Sequence, residues 1–188
     1  MLRFAIGLIV GLLLVPLFVL GWLKMGHPPV AVADGQLPFE RQIVNVPMHS
    51  RIESEMPKSV PLQPSAAGFL AGAQIYREQC AACHGFQGLP SDFAAHMFPR
   101  APQLWQPHHN GKVVGVSDDP PGETYWKVKN GLRLTGMPAF DKVLNDQQIW
   151  QVSLLLASAD KPLPREVVAI VHGQTSGQAP EGVTPASR

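Results

Sequence analysis

Cys80-Ala81-Ala82-Cys83-His84 has the form C-x-x-C-H and uses both cysteines of the chain. Two thiols two residues apart on a helical turn reach the two vinyl groups along one edge of a haem, and the following His is carried beneath the iron as its proximal ligand. Other uses of the pair fit less well. A zinc site takes four ligands, usually from two such pairs, and the chain has no further Cys. A thioredoxin-like couple belongs in a βαβ setting, whereas the pattern here is helical. A disulfide across so short a loop would stabilise little. The chemistry these residues point to is covalent attachment of one c-type haem through Cys80 and Cys83.

A sixth iron ligand is then needed, and iron held by His on one side commonly takes a Met thioether on the other, which favours the ferrous state and raises the potential. Met137 is the candidate: it stands between Gly136 and Pro138, where a loop is expected, within the run Lys129-Asn130-Gly131-Leu132-Arg133-Leu134-Thr135-Gly136-Met137-Pro138-Ala139-Phe140. Met97, His96, His108 and His109 are weaker competitors. The first two precede Pro99 in an apolar loop, and the His pair sits in a polar run, Gln106 to Gly111, that reads as a surface turn.

With both motifs in view, residues 65 to 163 resemble the class I c-type cytochromes, in particular the membrane-anchored monohaem kind of bacterial respiratory chains. The resemblance rests on the C-x-x-C-H at 80 to 84, on the Asn-Gly-x-Arg-x-Thr-Gly-Met-Pro run ending at Pro138, and on aromatic-containing helices before the first motif and after the second. It implies an all-α haem domain with His84 and Met137 as the axial ligands of haem c iron. It also implies that a proline carbonyl after the haem motif accepts the proximal His N–H, with Pro90, Pro99 and Pro102 all open for that role.

The elements that must position these groups can be read along the chain. Ser65 caps a first helix with Phe69, Ala73, Tyr76 and Cys80 on one face, and Gly72 allows another helix close. A second runs from Pro120 to Asn130, with Asp119 as its cap and Gly131 as its stop. A third starts at Asn145 with Gln148 completing a capping box, then carries Ile149, Trp150, Val152, Leu154, Leu155 and Leu156. The resemblance implies that the first and last helices cross near the haem, with Tyr76 and Trp150 as the expected contact. Residues 164 to 188 are expected to form a largely disordered tail; from Gly173 onward the chain is rich in Gly, Ser, Pro, Gln and Thr.

At the other end, Phe4 to Leu23 hold about twenty residues without a charge, flanked by Arg3 and Lys24, enough for one membrane crossing. Residues 1–25 are therefore expected to be a retained transmembrane anchor. A cleaved signal peptide is the rival, because Ala31-Val32-Ala33 is an A-x-A sequence that would leave Asp34 as the new terminus, but the apolar stretch exceeds the usual length. Residues 26–64 read as a proline-rich linker with two short amphipathic helices, Phe39 to Val46 and Met48 to Met56, divided by Pro47. Were its roughly 39 residues wholly flexible, their root-mean-square reach would be on the order of 35 Å. The family resemblance implies a single-pass protein of the inner (cytoplasmic) membrane with its haem domain in the periplasm.

Composition excludes other classes. A formal net charge of +1, with no basic stripe interleaved with aromatics, argues against a nucleic-acid partner. No nucleophile, base and orienter set emerges, and iron closed on both axial sides has no vacant place for a substrate. The expectation is a carrier of single electrons between a redox-protein donor and an acceptor such as a terminal oxidase. Alternatives are a fixed haem subunit of a respiratory or dehydrogenase complex and a gas or redox sensor. Lys127, Lys129 and Arg133 gather near the Met-bearing loop, where they read as a solvated helix face first and as a basic docking patch second.

Overall fold

The computed structural model describes residues 1–174; the expected disorder of 175–188 lies outside the described residues. The chain divides into two compact units, Met1–Ile43 and the residues from Val44 onward.

The first unit is dominated by α1, Leu2–Met25, a 24-residue helix with Pro16 inside it and no buried residue. Its length and composition make it a candidate membrane span, although a signal sequence has the same properties. Beyond it the Asp34 carboxylate accepts the backbone N–H groups of Val30 and Ala31, each at 2.8 Å. These bonds hold the exposed carboxyl below the usual Asp range.

α2 spans Glu40–Glu55 as one helix and begins in the first unit. The expected division at Pro47 does not occur: the proline is accommodated inside the helix. An interior proline removes one hydrogen bond and costs about 3 kcal/mol in isolation. Here burial of Ile52 offsets that cost on the C-terminal half, where the side chain is only 2% exposed.

The second unit is mostly helical: α3 is Ala66–Gln79, α4 Ala81–His84, α5 Pro121–Asn130, α6 Asp146–Leu156 and α7 Arg165–Val171. A short antiparallel ladder, β1 Pro107–His108 with β2 Val113–Val114, decorates the loop between α4 and α5. Ser65 caps α3 by accepting the Gly68 N–H at 3.0 Å. Asn145 and Gln148 form the reciprocal box at the start of α6, both bonds being 2.9 Å. α5 departs from expectation at its start, where Pro120 occupies the cap position and Asp119 turns toward Lys127 instead.

The core joins α3, α5, α6 and α7 through Ala73, Tyr76, Tyr125, Val128, Ile149, Trp150, Val152, Leu155, Val167 and Val171. α3 crosses α6 so closely that a Cβ at Gly72 would stand 2.5 Å from the Gln151 carbonyl oxygen. At the crossing Gly72 packs on the Gln151 backbone, and Tyr76 and Trp150, the expected contact residues, both lie in the buried core that the two helices share. Trp150 stacks on Tyr125 of α5 at 4.3 Å, while Tyr76 meets Trp105 edge-on at 5.7 Å.

α7 corrects the expectation of a tail beginning at 164. Val167, Ile170 and Val171, at i, i+3 and i+4, bury one face of this short helix against α3. The low-complexity composition starts only after that apolar stripe.

Candidate functional site

α3 ends by delivering Cys80, whose N–H bonds the Tyr76 carbonyl at 2.9 Å, and α4 at once turns Cys83 and His84 to the same cleft. The imidazole is oriented from behind: His84 Nδ1–H donates to the Pro102 carbonyl at 2.7 Å, which settles the choice among the three prolines. A carbonyl only accepts, so the proton is on Nδ1 and the Nε2 lone pair is left free. Burial pushes the His84 pKa down, with the Pro102 bond opposing, so the ring is favoured in the neutral form that binds a metal. Burial, and secondly Cys83, push the unreacted Cys80 thiol up to about 12.

Gln103, which belongs to no motif, ties this loop together. Its amide nitrogen donates to the carbonyls of Cys83 at 3.1 Å and Ala101 at 3.2 Å, while its oxygen accepts the Ser91 N–H at 2.7 Å. The Leu104 N–H also reaches the His84 carbonyl at 3.3 Å. The orphan carbonyls at the end of α4 are thus satisfied by the segment that carries Pro102. A polar residue flanked by Pro102 and Leu104 was the only signal for this role in the sequence.

The opposite wall is the loop after α5. Gly131 ends that helix at φ 66, and any Cβ there would meet the backbone of Met137, Pro138 and Ala139 within 2.9 Å. Only glycine meets both demands. Thr135 fixes the loop from inside, its hydroxyl donating to the Leu132 carbonyl at 2.7 Å and accepting the Met137 N–H at 3.0 Å. The Leu132 N–H in turn reaches the Met137 carbonyl at 3.2 Å. These bonds hold the Met137 backbone where its side chain enters the cleft.

Cys80, Cys83, His84 and Met137 line one predominantly apolar cleft of about 240 Å³, together with Met48, Met97, Pro102, Leu104, Val128, Phe140, Val152 and Leu156. Among the competing ligands, Met97 also faces this cleft, and its terminal methyl packs on Gly136. His96 is exposed, and His108 and His109 lie in the exposed hairpin, where His108 Nε2–H donates to the Gly115 carbonyl at 2.7 Å. The residues fit a haem: two thiols on one wall, a neutral imidazole, facing thioethers and an apolar interior. Trp105, next in the chain to Leu104, has a buried indole N–H with no protein partner among the described residues.

The basic patch is largely neutralised. Lys127 is paired with Glu123 at 2.6 Å and Asp119 at 3.6 Å. Lys129 is held by Asp146 at 2.8 Å and donates to the Tyr125 hydroxyl at 3.1 Å. The bond to Asp146, then that to Tyr125, hold the Lys129 pKa above its ordinary value. Of the three, only Arg133 has no ion pair among the described residues. Asp119 is half-buried, and burial raises its carboxyl despite Lys127, with Glu123 and Asp118 adding to the rise.

Residues 67–154 match the family described as cytochrome c oxidase, cbb3-type, subunit III. No curated protein matches the chain. A chain of the Kuenenia stuttgartiensis reducing HAO-like protein complex is similar at 24% identity and a TM-score of 0.45, over 66% of this chain and 62% of that one. The match therefore spans less than two thirds of that chain's length.

Proposed function

Residues 67–154 are a c-type cytochrome domain carrying covalently bound haem c, and on that premise we propose that the protein is a membrane-tethered carrier of single electrons. Haem c supplies a ferric–ferrous couple. Cys80 and Cys83 would hold the group covalently, His84 would ligate the iron through Nε2, and Met137 would supply the other protein ligand. The observation that carries this reading is the convergence of these four side chains on one apolar cleft, with His84 Nδ1–H fixed on the Pro102 carbonyl.

Each protein group has a definite part. The Pro102 bond keeps the imidazole in one tautomer and orientation, and so keeps ligation the same in both oxidation states. The Thr135 bonds and Gly131 hold the Met137 backbone, which limits rearrangement when the charge changes. A thioether favours the ferrous state, and the apolar wall disfavours the added charge of the ferric state, so both raise the potential. With His84 and Met137 both bound to it, the iron would keep no vacant place for a substrate.

We place the tether in α1 and the haem domain in the periplasm, with a redox-protein donor and acceptor in the same bacterial respiratory chain. The family matched is named for an oxidase subunit, which favours a second reading in which the domain is fixed within a multisubunit oxidase. Gentle detergent extraction of native membranes separates the two readings. A carrier is recovered largely alone, whereas a fixed subunit travels with one large complex. On the same material, intact mass should give the full chain plus one haem, and redox titration should follow a one-electron curve. A chain beginning at Asp34, or carbon monoxide binding to the reduced native protein, would contradict the anchored carrier.

A further inference from the structure

Met48, Ile52 and Glu55 stand at i, i+4 and i+7 and so share one face of α2. Each has a tertiary role within the second unit. Met48 is half-buried and lines the same cleft as Cys80, His84 and Met137. Ile52 is 2% exposed. The Glu55 carboxylate accepts the indole N–H of Trp126 on α5 at 3.1 Å, and two residues on, the Pro57 carbonyl lies directly against Gly122 of the same helix. A flexible linker leaves such groups in water. Here an apolar anchor and a side-chain hydrogen bond seat the segment on the haem domain.

We propose that the C-terminal half of α2 is a fixed wall of the haem cleft and that Met48 is a positioning residue for the redox reaction, holding the potential up by keeping water from the haem. The proposal rests on the reading of this cleft as the haem site. An unbranched thioether fills an irregular gap without bringing a polar atom that would favour the ferric charge. Removing it opens one edge of the cleft, and a polar replacement brings dipoles to the same edge. Both stabilise the oxidised form. The seating also makes the segment before the domain much less of a free tether than its many prolines imply.

The test uses the full-length holoprotein in detergent. Met48→Gln and Met48→Ala should shift the reduction potential downward while the sulfur-to-iron absorption of the ferric protein is retained. Met48→Leu, which keeps an apolar side chain of similar volume, should restore the wild-type potential. Met56→Gln is the control, because Met56 does not line the cleft. Backbone amides from Met48 to Met56 should exchange slowly in the wild type and faster in Ile52→Ala. An unchanged potential in Met48→Gln, or fast exchange of these amides in the wild type, would overturn the proposal. Loss of the sulfur-to-iron absorption in all three Met48 variants would also overturn it, since Met48 would then be an iron ligand. Absence of that absorption from the wild type would instead count against the Met137 ligation, which keeps the two failures distinct.

Discussion

Replacing Gly72 with Ala sets two effects of opposite sign against each other. In the middle of a helix, Gly→Ala stabilises by about 1 kcal/mol through backbone entropy and propensity. The crossing of α3 over α6 opposes this. The new Cβ would lie 2.5 Å from the Gln151 carbonyl oxygen and 2.9 Å from its carbonyl carbon, against an ordinary contact of at least 3.4 Å. The obstacle is helix backbone, which cannot rotate away like a side chain, so α6 must retreat by about 0.9 Å. Overpacking of this kind costs about 1–3 kcal/mol, so the expected net loss is about 1 kcal/mol, or about 4 °C in Tm. The displacement also reaches the site, because Val152 and Leu156 of α6 line the cleft. Gly72→Ala holoprotein should therefore unfold at lower denaturant and show a lowered potential. A gain of about 1 kcal/mol with the potential unchanged would refute the close crossing.

Two other perturbations probe the supports of the site. Tyr76→Phe removes the 2.7 Å hydrogen bond from the phenol to the Gly85 carbonyl, inside a core where Tyr76 is 0% exposed; denaturant unfolding should show a loss of about 1–3 kcal/mol. Asp119 has a folded pKa above its ordinary 3.8, so the folded state binds more protons and stability falls as pH rises from 3.8 through the raised value. Asp119→Asn should remove that part of the slope in a pH series of unfolding curves.

The haem motif was legible because its chemistry is local: five consecutive residues contain both thiols and the proximal imidazole. The helix caps at Ser65 and Asn145 were legible for the same reason, since each bond spans three residues. What sequence could not supply were partners far apart in the chain. The choice of Pro102 over Pro90 and Pro99 depends on how the loop folds back to His84 across 18 residues. Helical periodicity identifies the buried face of Trp150 without naming Tyr125 as the ring that stacks on it. The pairing of Lys127 with Asp119 and of Lys129 with Asp146 joins residues 8 and 17 apart, which only the fold brings together. By local rules the interior Pro47 should divide α2, and tertiary burial of Ile52 overrides that. The Val167–Ile170–Val171 stripe is present in the sequence, but it is short and follows closely on Pro162 and Pro164, which read as the end of the helical region.

Met137 and Met97 both line the cleft, and we propose Met137 as the iron ligand that partners His84. Long-wavelength absorption of the ferric full-length protein, followed in Met137→Ala and Met97→Ala, measures this directly. The sulfur-to-iron band should be present in the wild type, absent from Met137→Ala with a fall in potential, and retained in Met97→Ala. A band that survives in Met137→Ala and disappears in Met97→Ala would contradict it and move the ligand to the loop before Pro99.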